Sequence, residues 1–196
     1  RPTGRKRTEV LRAFIRQNPD LFGLDASQTS ELETTADYTN PKSPMSFVHF
    51  EQKIGNIPVF RGEVKAGFTR RGEIVRIINN LAPRLDYENL NEDFGSAAQA
   101  VIKAAGHINV TADERDVKAV NSESNELKTT FERGRFSDKT TAEKMYFPVN
   151  YGVARPAWRV LFWAEPDAFY VIVDAATGEL LWRKNITANQ TRPATF

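Results

Sequence analysis

FVHFEQKIGNIPVFRGEVKAGFTRRGEIVRIINN, residues 47–80, is the stretch on which the fold turns. Val48, Phe50, Gln52 and Ile54 alternate with Phe47, His49, Glu51 and Lys53, the period of two that marks a strand with unlike faces. Gly55-Asn56 then turns the chain. The return run sets Phe60, Gly62, Val64, Ala66 and Phe68 on one face and Arg61, Glu63 and Lys65 on the other. Thr69-Arg70-Arg71-Gly72 turns it once more, into a third run over 73–78. A three-stranded antiparallel meander is the expected result. Pro58 has no N–H to give to a ladder, so the second strand is expected to begin just after it or to lie at an edge there.

Toward the N-terminus, residues 5–17 place Val10, Leu11, Phe14 and Ile15 at helical spacing, with Arg12 and Arg16 on the other side. Asn18-Pro19 stops that helix. A single helix cannot bury its own apolar stripe, so it needs the apolar face of the meander. Gly23 permits a turn, and the threonine-rich run 31–39, with Tyr38, predicts a strand beside Phe47. Asn40-Pro41-Lys42-Ser43-Pro44 is a loop between the two. On the other side of the meander, Leu81-Ala82-Pro83 ends the sheet and 84–94 reads as a linker, with a boundary near residue 90.

The second half opens on Asp93-Phe94-Gly95-Ser96, where Ser96 can cap a helix carrying Ala97, Ala98, Val101, Ile102 and Ala105 before Gly106 ends it. His107 falls just past that end, where a histidine usually serves structure. Residues 111–126 are polar and read as loop. Runs 127–131 and 144–149 read as strands around a turn at Gly134. Trp158, Val160 and Phe162 then alternate with Arg159, Leu161 and Trp163, and Tyr170, Ile172 and Asp174 with Phe169, Val171 and Val173. Asp174-Ala-Ala-Thr-Gly178 closes a hairpin in which Asp174 can accept the turn amides and Gly178 can take a positive φ. Residues 179–184 return.

Composition bounds the chemistry. At 196 residues the chain can bury roughly 70% of its unfolded surface and needs no staple. It has no cysteine, which excludes disulfides, thiolate catalysis and cysteine zinc sites. A net charge of +2, with acids interspersed among the bases, lacks the clustered basic face that nucleic acid requires. The one basic cluster, Arg1, Arg5, Lys6 and Arg7, reads first as a solvated helix entrance and second as a functional patch. No run approaches the ~20 apolar residues of a membrane span.

Catalytic patterns are missing. A zinc peptidase needs two histidines one helical turn apart with a glutamate beside the first, so that both imidazoles meet one metal and the carboxylate activates water. His49 lies in a strand and His107 stands alone. Gly-x-Ser-x-Gly and glycine-rich phosphate loops do not occur. Asp113, Glu114 and Asp116 form a charged loop before they form an acid/base pair. Trp158, Trp163, Phe162, Tyr170 and Trp182 read as core before they read as a stacking platform. Asn109, Asn185 and Asn189 each head an Asn-x-Thr triplet.

The order FEQ-x-I-x-N-IPVFRGE-x-K, a glycine turn, then I-V-x-I-x-N-N is similar to the FTP module of fungalysin and thermolysin propeptides. Asn18-Pro19-Asp20-Leu21-Phe22-Gly23-Leu24 is similar to the end of that module's first helix. A helix followed by strands ending in V-x-V-D-A-x-T-G-E-L-L resembles the PepSY module that follows it in such propeptides. The residues that carry the likeness are structural ones: Gln52, Asn56, Ile57, Pro58, Val59, Phe60, Gly62, Asp174 and Gly178. The resemblance implies an α+β protein of two cystatin-like units, each a helix on an antiparallel sheet. Residues 1–90 would be FTP-like, 91–184 PepSY-like, and 185–196 a tail toward a catalytic-domain junction.

It further implies a secreted, non-catalytic propeptide that is intramolecular chaperone and inhibitor of its own zinc metallopeptidase. Its partner is then the catalytic domain, and any zinc or calcium belongs to that domain. Asn185, Thr187, Asn189, Arg192, Pro193, Ala194, Thr195 and Phe196 would form an inhibitory tail, since Ala-Thr-Phe resembles the join between propeptide and enzyme. The same residues also read as a frayed terminus. A freestanding tandem binding module with no attached protease is the alternative reading of the whole chain.

Overall fold

The computed structural model describes residues 6–187 and shows an α+β protein. The chain forms two compact units, one of residues 1–90 with 146–155 and the other of residues 91–145 with 156–196. No helix among the described residues is long and apolar enough to cross a membrane.

The first unit holds three helices, α1 (Arg7–Gln17), α2 (Pro19–Phe22) and α3 (Ala26–Glu31). Its strands are β1 (Glu33–Thr39), β2 (Ser46–Ile54), β3 (Ile57–Phe68) and β4 (Ile74–Asn79), antiparallel in chain order. Leu11 and Ile15 of α1 are fully buried against Val48, Phe50, Val64, Ala66 and Phe68. Phe22, Leu24, Leu32 and Leu81 complete that core. At about 1.5 to 3 kcal/mol per fully buried aliphatic or aromatic side chain, this stripe is what keeps so short a helix in place.

Two features of the helical region differ from expectation. Residues 26–31 are α3, and β1 begins at Glu33 rather than residue 31. The cause is a capping box: Asp25 Oδ1 accepts the Gln28 N–H at 2.8 Å, and Gln28 Oε1 accepts the Asp25 N–H at 3.2 Å. Arg12, expected on the solvent side of α1, instead donates to the Ser30 and Leu32 carbonyls at 3.1 and 2.8 Å, closing the C-terminal end of α3. Its guanidinium also lies over the Phe50 ring, 4.6 Å from the centroid.

In β2 the buried residues are Ser46, Val48, Phe50, Gln52 and Ile54, the alternation the sequence predicts. Gly55 and Asn56 take positive φ (54° and 71°), as a two-residue hairpin turn requires. Beyond the turn the expected phase fails. Pro58 lies within β3, paired with Lys53, and Glu63 pairs with Glu51, so residues 59–62 all oppose Gln52. Arg61 absorbs this bulge at φ 56°. Val59 therefore turns into the core at 2% exposure, and Phe60, expected on the face of Val64, leaves it and stacks on Phe147 at 4.9 Å.

The bulge leaves Gln52 fully buried beside a backbone that has lost its ladder. Its side chain replaces that ladder. Gln52 Oε1 accepts the Ala82 N–H at 2.8 Å, and Nε2 donates to the Ala82 carbonyl at 3.0 Å and to the Tyr87 hydroxyl at 2.9 Å. Gly62 makes room for it, because a Cβ at that position would stand 3.0 Å from Gln52 Cβ, Gln52 Oε1 and Val59 Cβ.

The second unit carries α4 (Ala97–Gly106) and strands β5 (Lys128–Phe131), β6 (Thr140–Asn150), β7 (Val153–Ala164), β8 (Asp167–Asp174) and β9 (Leu180–Asn185), neighbours in chain order. Residues 146–155, at the end of β6 and the start of β7, count with the first unit. Ser96 caps α4, and Ala100, Val101, Ala104 and Ala105 bury a face of small side chains where α4 packs on β8. Trp158 Nε1 donates to the Phe94 carbonyl, and the two rings meet edge to face at 6.2 Å. The loop expected over 111–126 contains a short 3-10 turn, Asn121–Glu123, and a bridge from Ala119 to Phe131.

Gln52→Leu is expected to destabilise the chain by about 2 to 4 kcal/mol, because it strands the buried Ala82 amide and carbonyl together. Gly62→Ala should lose about 1 to 3 kcal/mol by overpacking the same spot. Urea unfolding of both variants beside the native chain measures each. Burial pushes the Tyr87 phenol up to about 12. A raised pKa favours the neutral form in the folded state, so that contribution is complete below the ordinary phenol pKa near 10 and is lost as pH rises from about 10 to 12. The tyrosinate absorbance titration should therefore lose a step near pH 12 in Tyr87→Phe.

Candidate functional site

The expected tail begins differently from a frayed end. Asn185 is the last residue of β9, paired with Phe169 of β8. Past it, the Ile186 N–H donates to the Ala168 carbonyl at 2.8 Å, and the Ala168 N–H donates to Thr187 Oγ1 at 2.7 Å. Asn185 Nδ2 donates to Asp167 Oδ1 at 2.8 Å while its Oδ1 accepts the Thr187 N–H at 2.9 Å. Side chains thus carry the ladder past the end of the strand. Residues 185–187 are held on β8. Asn189, Arg192, Pro193, Ala194, Thr195 and Phe196 lie outside the described residues.

The hairpin before β9 is built as the sequence suggests. Asp174 Oδ1 accepts the Ala176 and Thr177 N–H groups at 3.0 and 2.9 Å, and the Asp174 carbonyl accepts the Gly178 N–H at 2.8 Å. Gly178 holds φ 72°. His107 meets this hairpin, its Nε2 lying 3.0 Å from the Gly178 carbonyl. Arg183 also reaches back to the His107 carbonyl. His49 in the first unit faces the Tyr38 ring edge to face at 5.9 Å. His107 thus meets a backbone carbonyl and His49 an aromatic ring.

The acidic loop is likewise matched. Asp113 pairs with Arg115 at 2.7 Å and Asp116 with Arg135 at 2.7 Å. The hydrogen bond from the Arg115 side chain holds the Asp113 carboxyl down to about 2, far from the range of a proton-shuttling acid. Among the described residues, no three His, Asp or Glu side chains come together as a metal would require. The aromatics do not form one platform: Trp158 and Phe162 are buried on one face of β7, whereas Trp163, 42% exposed, is on the other with Leu161 and its partner Tyr170. Of the three Asn-x-Thr triplets, Asn109 is exposed in the turn after α4 at φ 60°, Asn185 is held in the β9 anchor, and Asn189 is outside the described residues.

The residues that carried the family likeness all hold up folds rather than chemistry. Gln52 and Gly62 form the Ala82 clamp, Asn56 the hairpin turn, Ile57 and Pro58 the first rungs of β3 with Ile54 and Lys53, and Val59 and Phe60 the two sides of the bulge. No family model matches the sequence, and no curated protein matches it. Among solved structures the chain is similar to the C-terminal domain of YpeB from Bacillus megaterium, with a TM-score of 0.40 and 10% identity over 96% of this chain and 68% of that one.

Thr187→Val keeps the shape of the side chain and deletes the acceptor of the Ala168 amide. Hydrogen exchange at Ala168 is expected to quicken severalfold, the equivalent of about 1 kcal/mol, with β2 and β3 unchanged.

Proposed function

We propose that this chain is the pro-region of a secreted zinc metallopeptidase of the fungalysin or thermolysin kind, acting as intramolecular chaperone and inhibitor of the catalytic domain. The observation that carries the reading is the anchorage of residues 185–187 on β8. A segment bound for a protease cleft needs a firm base, and here β8 supplies one through both backbone and side-chain hydrogen bonds. The family-like order of residues around Gln52 and Asp174 supports it.

Physically, a folded template that binds the native enzyme better than the unfolded one stabilises it by mass action. Joining the two in one chain raises the effective concentration to roughly millimolar. The same contacts, kept after folding, block the cleft. β1, β4, β5 and β9 each pair with a single strand, and an enzyme strand can add at such an edge. Zinc or calcium would sit in the catalytic domain. The chain's own residues bind, orient and shield.

The test is inhibition of the catalytic domain encoded after Phe196 by this chain and by a copy truncated after Thr187. The truncation spares the anchor. Inhibition in roughly the nanomolar range, weakened at least about tenfold in the shorter copy, is the expected result. Equal inhibition by both copies would move the interface to the folded units and remove the tail's role. No inhibition by either, or a stop codon directly after Phe196, would favour the freestanding binding module.

A further inference from the structure

Two basic pairs, far apart in the sequence, line one cleft of the first unit. Lys6 and Arg7 stand at the start of α1, and Arg70 and Arg71 form the turn between β3 and β4. With Asp37, Thr39 and the loop of residues 40–44, they line a cleft of about 710 Å³. The sequence shows the terminal cluster as a helix entrance. The fold doubles it.

Charge in the cleft is unbalanced. Asp37 is the one carboxylate among its lining residues, and Arg7 already occupies it, with Nε at 2.9 Å and a terminal nitrogen at 2.7 Å. Arg7 also donates to Thr39 Oγ1 at 3.0 Å, so its fork is fixed. Among the described residues Lys6, Arg70 and Arg71 make no ion pair. The five residues before Lys6 contain two more arginines and no acid. Elsewhere in this unit Lys53 pairs with Glu33, and Lys65 with Glu63 at 2.8 Å.

We propose that this cleft receives an acidic stretch of a protein partner, two or three Asp or Glu side chains on an extended segment. Its volume falls within the roughly 300 to 1,000 Å³ of pockets that take ligands much larger than one inorganic ion. Guanidinium forks match carboxylates two bonds at a time, which favours Arg70 and Arg71 over lysine for this task. Nucleic acid fits less well, because four basic side chains around one cleft do not make the extended basic face or stripe that a phosphate backbone requires. Because the cleft is open, its charges act on encounter rate and orientation more than on residence time, and salt weakens them. The inference stands on the cleft alone and does not involve the tail, so its failure and that of the pro-region reading are separable.

A fluorescein-labelled hexaglutamate peptide is titrated with the full chain by anisotropy. The expected result is saturable binding at about 20 mM NaCl that weakens at least about tenfold at about 200 mM. Arg70→Glu/Arg71→Glu should weaken it by a similar factor, and Arg70→Gln/Arg71→Gln by less. Lys118→Glu/Arg133→Glu makes the same change of net charge at exposed positions of the other unit and should leave binding within about twofold. Circular dichroism of each variant controls for folding. Equal losses in both reversal variants would show general attraction and overturn the proposal. So would absence of binding at low salt, or competition by inorganic phosphate as strong as by unlabelled peptide, which would make the cleft an ion site.

Discussion

The side-chain amide of Gln52 does for the first unit what a neighbouring strand would otherwise do. Where β3 bulges over residues 59–62, the ladder between β2 and β3 is interrupted and the chain after β4 has no strand to pair with. Ala82 is nonetheless buried there, at 6% exposure, with an N–H and a carbonyl that water cannot reach. A primary amide is the one side chain that presents a donor and an acceptor in the geometry of a peptide group, and Gln52 uses both on Ala82 and its second N–H on Tyr87. An unpartnered buried amide or carbonyl costs about 1 to 3 kcal/mol, so two of them would consume much of a small unit's margin. Gly62 belongs to the same interaction. It is the absence of its side chain that lets the amide lie flat over the bulge.

This explains what the sequence discloses and what it hides. Alternation in β2, the turns at Gly55-Asn56 and Asp174–Gly178, and the small-residue face of α4 are local patterns, and local patterns can be read directly. The bulge cannot be read so. Its cause is a contact with Ala82, thirty positions from Gln52 along the chain, and a period-two count through Phe60 simply continues in the wrong phase. α3 escaped because its residues, Ala-Ser-Gln-Thr-Ser-Glu, are polar and carry no apolar period, yet its signal was present in Asp25-x-x-Gln28. β6 begins at Thr140, earlier than residue 144, because the backbone pairing of Thr140 and Thr141 with Phe131 and Thr130 extends it through residues without a hydrophobic alternation. Arg12 escaped for a different reason: a helix position opposite the core need not face water when a second helix ends beside it.

The same device recurs in the second unit. Past Asn185 the chain no longer has the form of a strand, and the Thr187 hydroxyl takes the place of the next carbonyl in accepting the Ala168 N–H. Thr187 and Asn185 were singled out as parts of a tail. Both are held at β8 by hydrogen bonds.

Several side chains that could have done chemistry are bound into the fold. The Asp174 carboxylate holds turn amides, His107 meets a backbone carbonyl, and Asp113 and Asp116 each have an arginine. A proton-shuttling acid needs a pKa near working pH, and the Arg115 hydrogen bond holds Asp113 down at about 2. Lys6, Arg70 and Arg71, which make no ion pair among the described residues, line an open cleft whose walls come from a helix start, an inter-strand loop and a hairpin turn. Such an arrangement suits recognition: rigid strands fix where the loops are, and the loops carry the groups that meet another molecule.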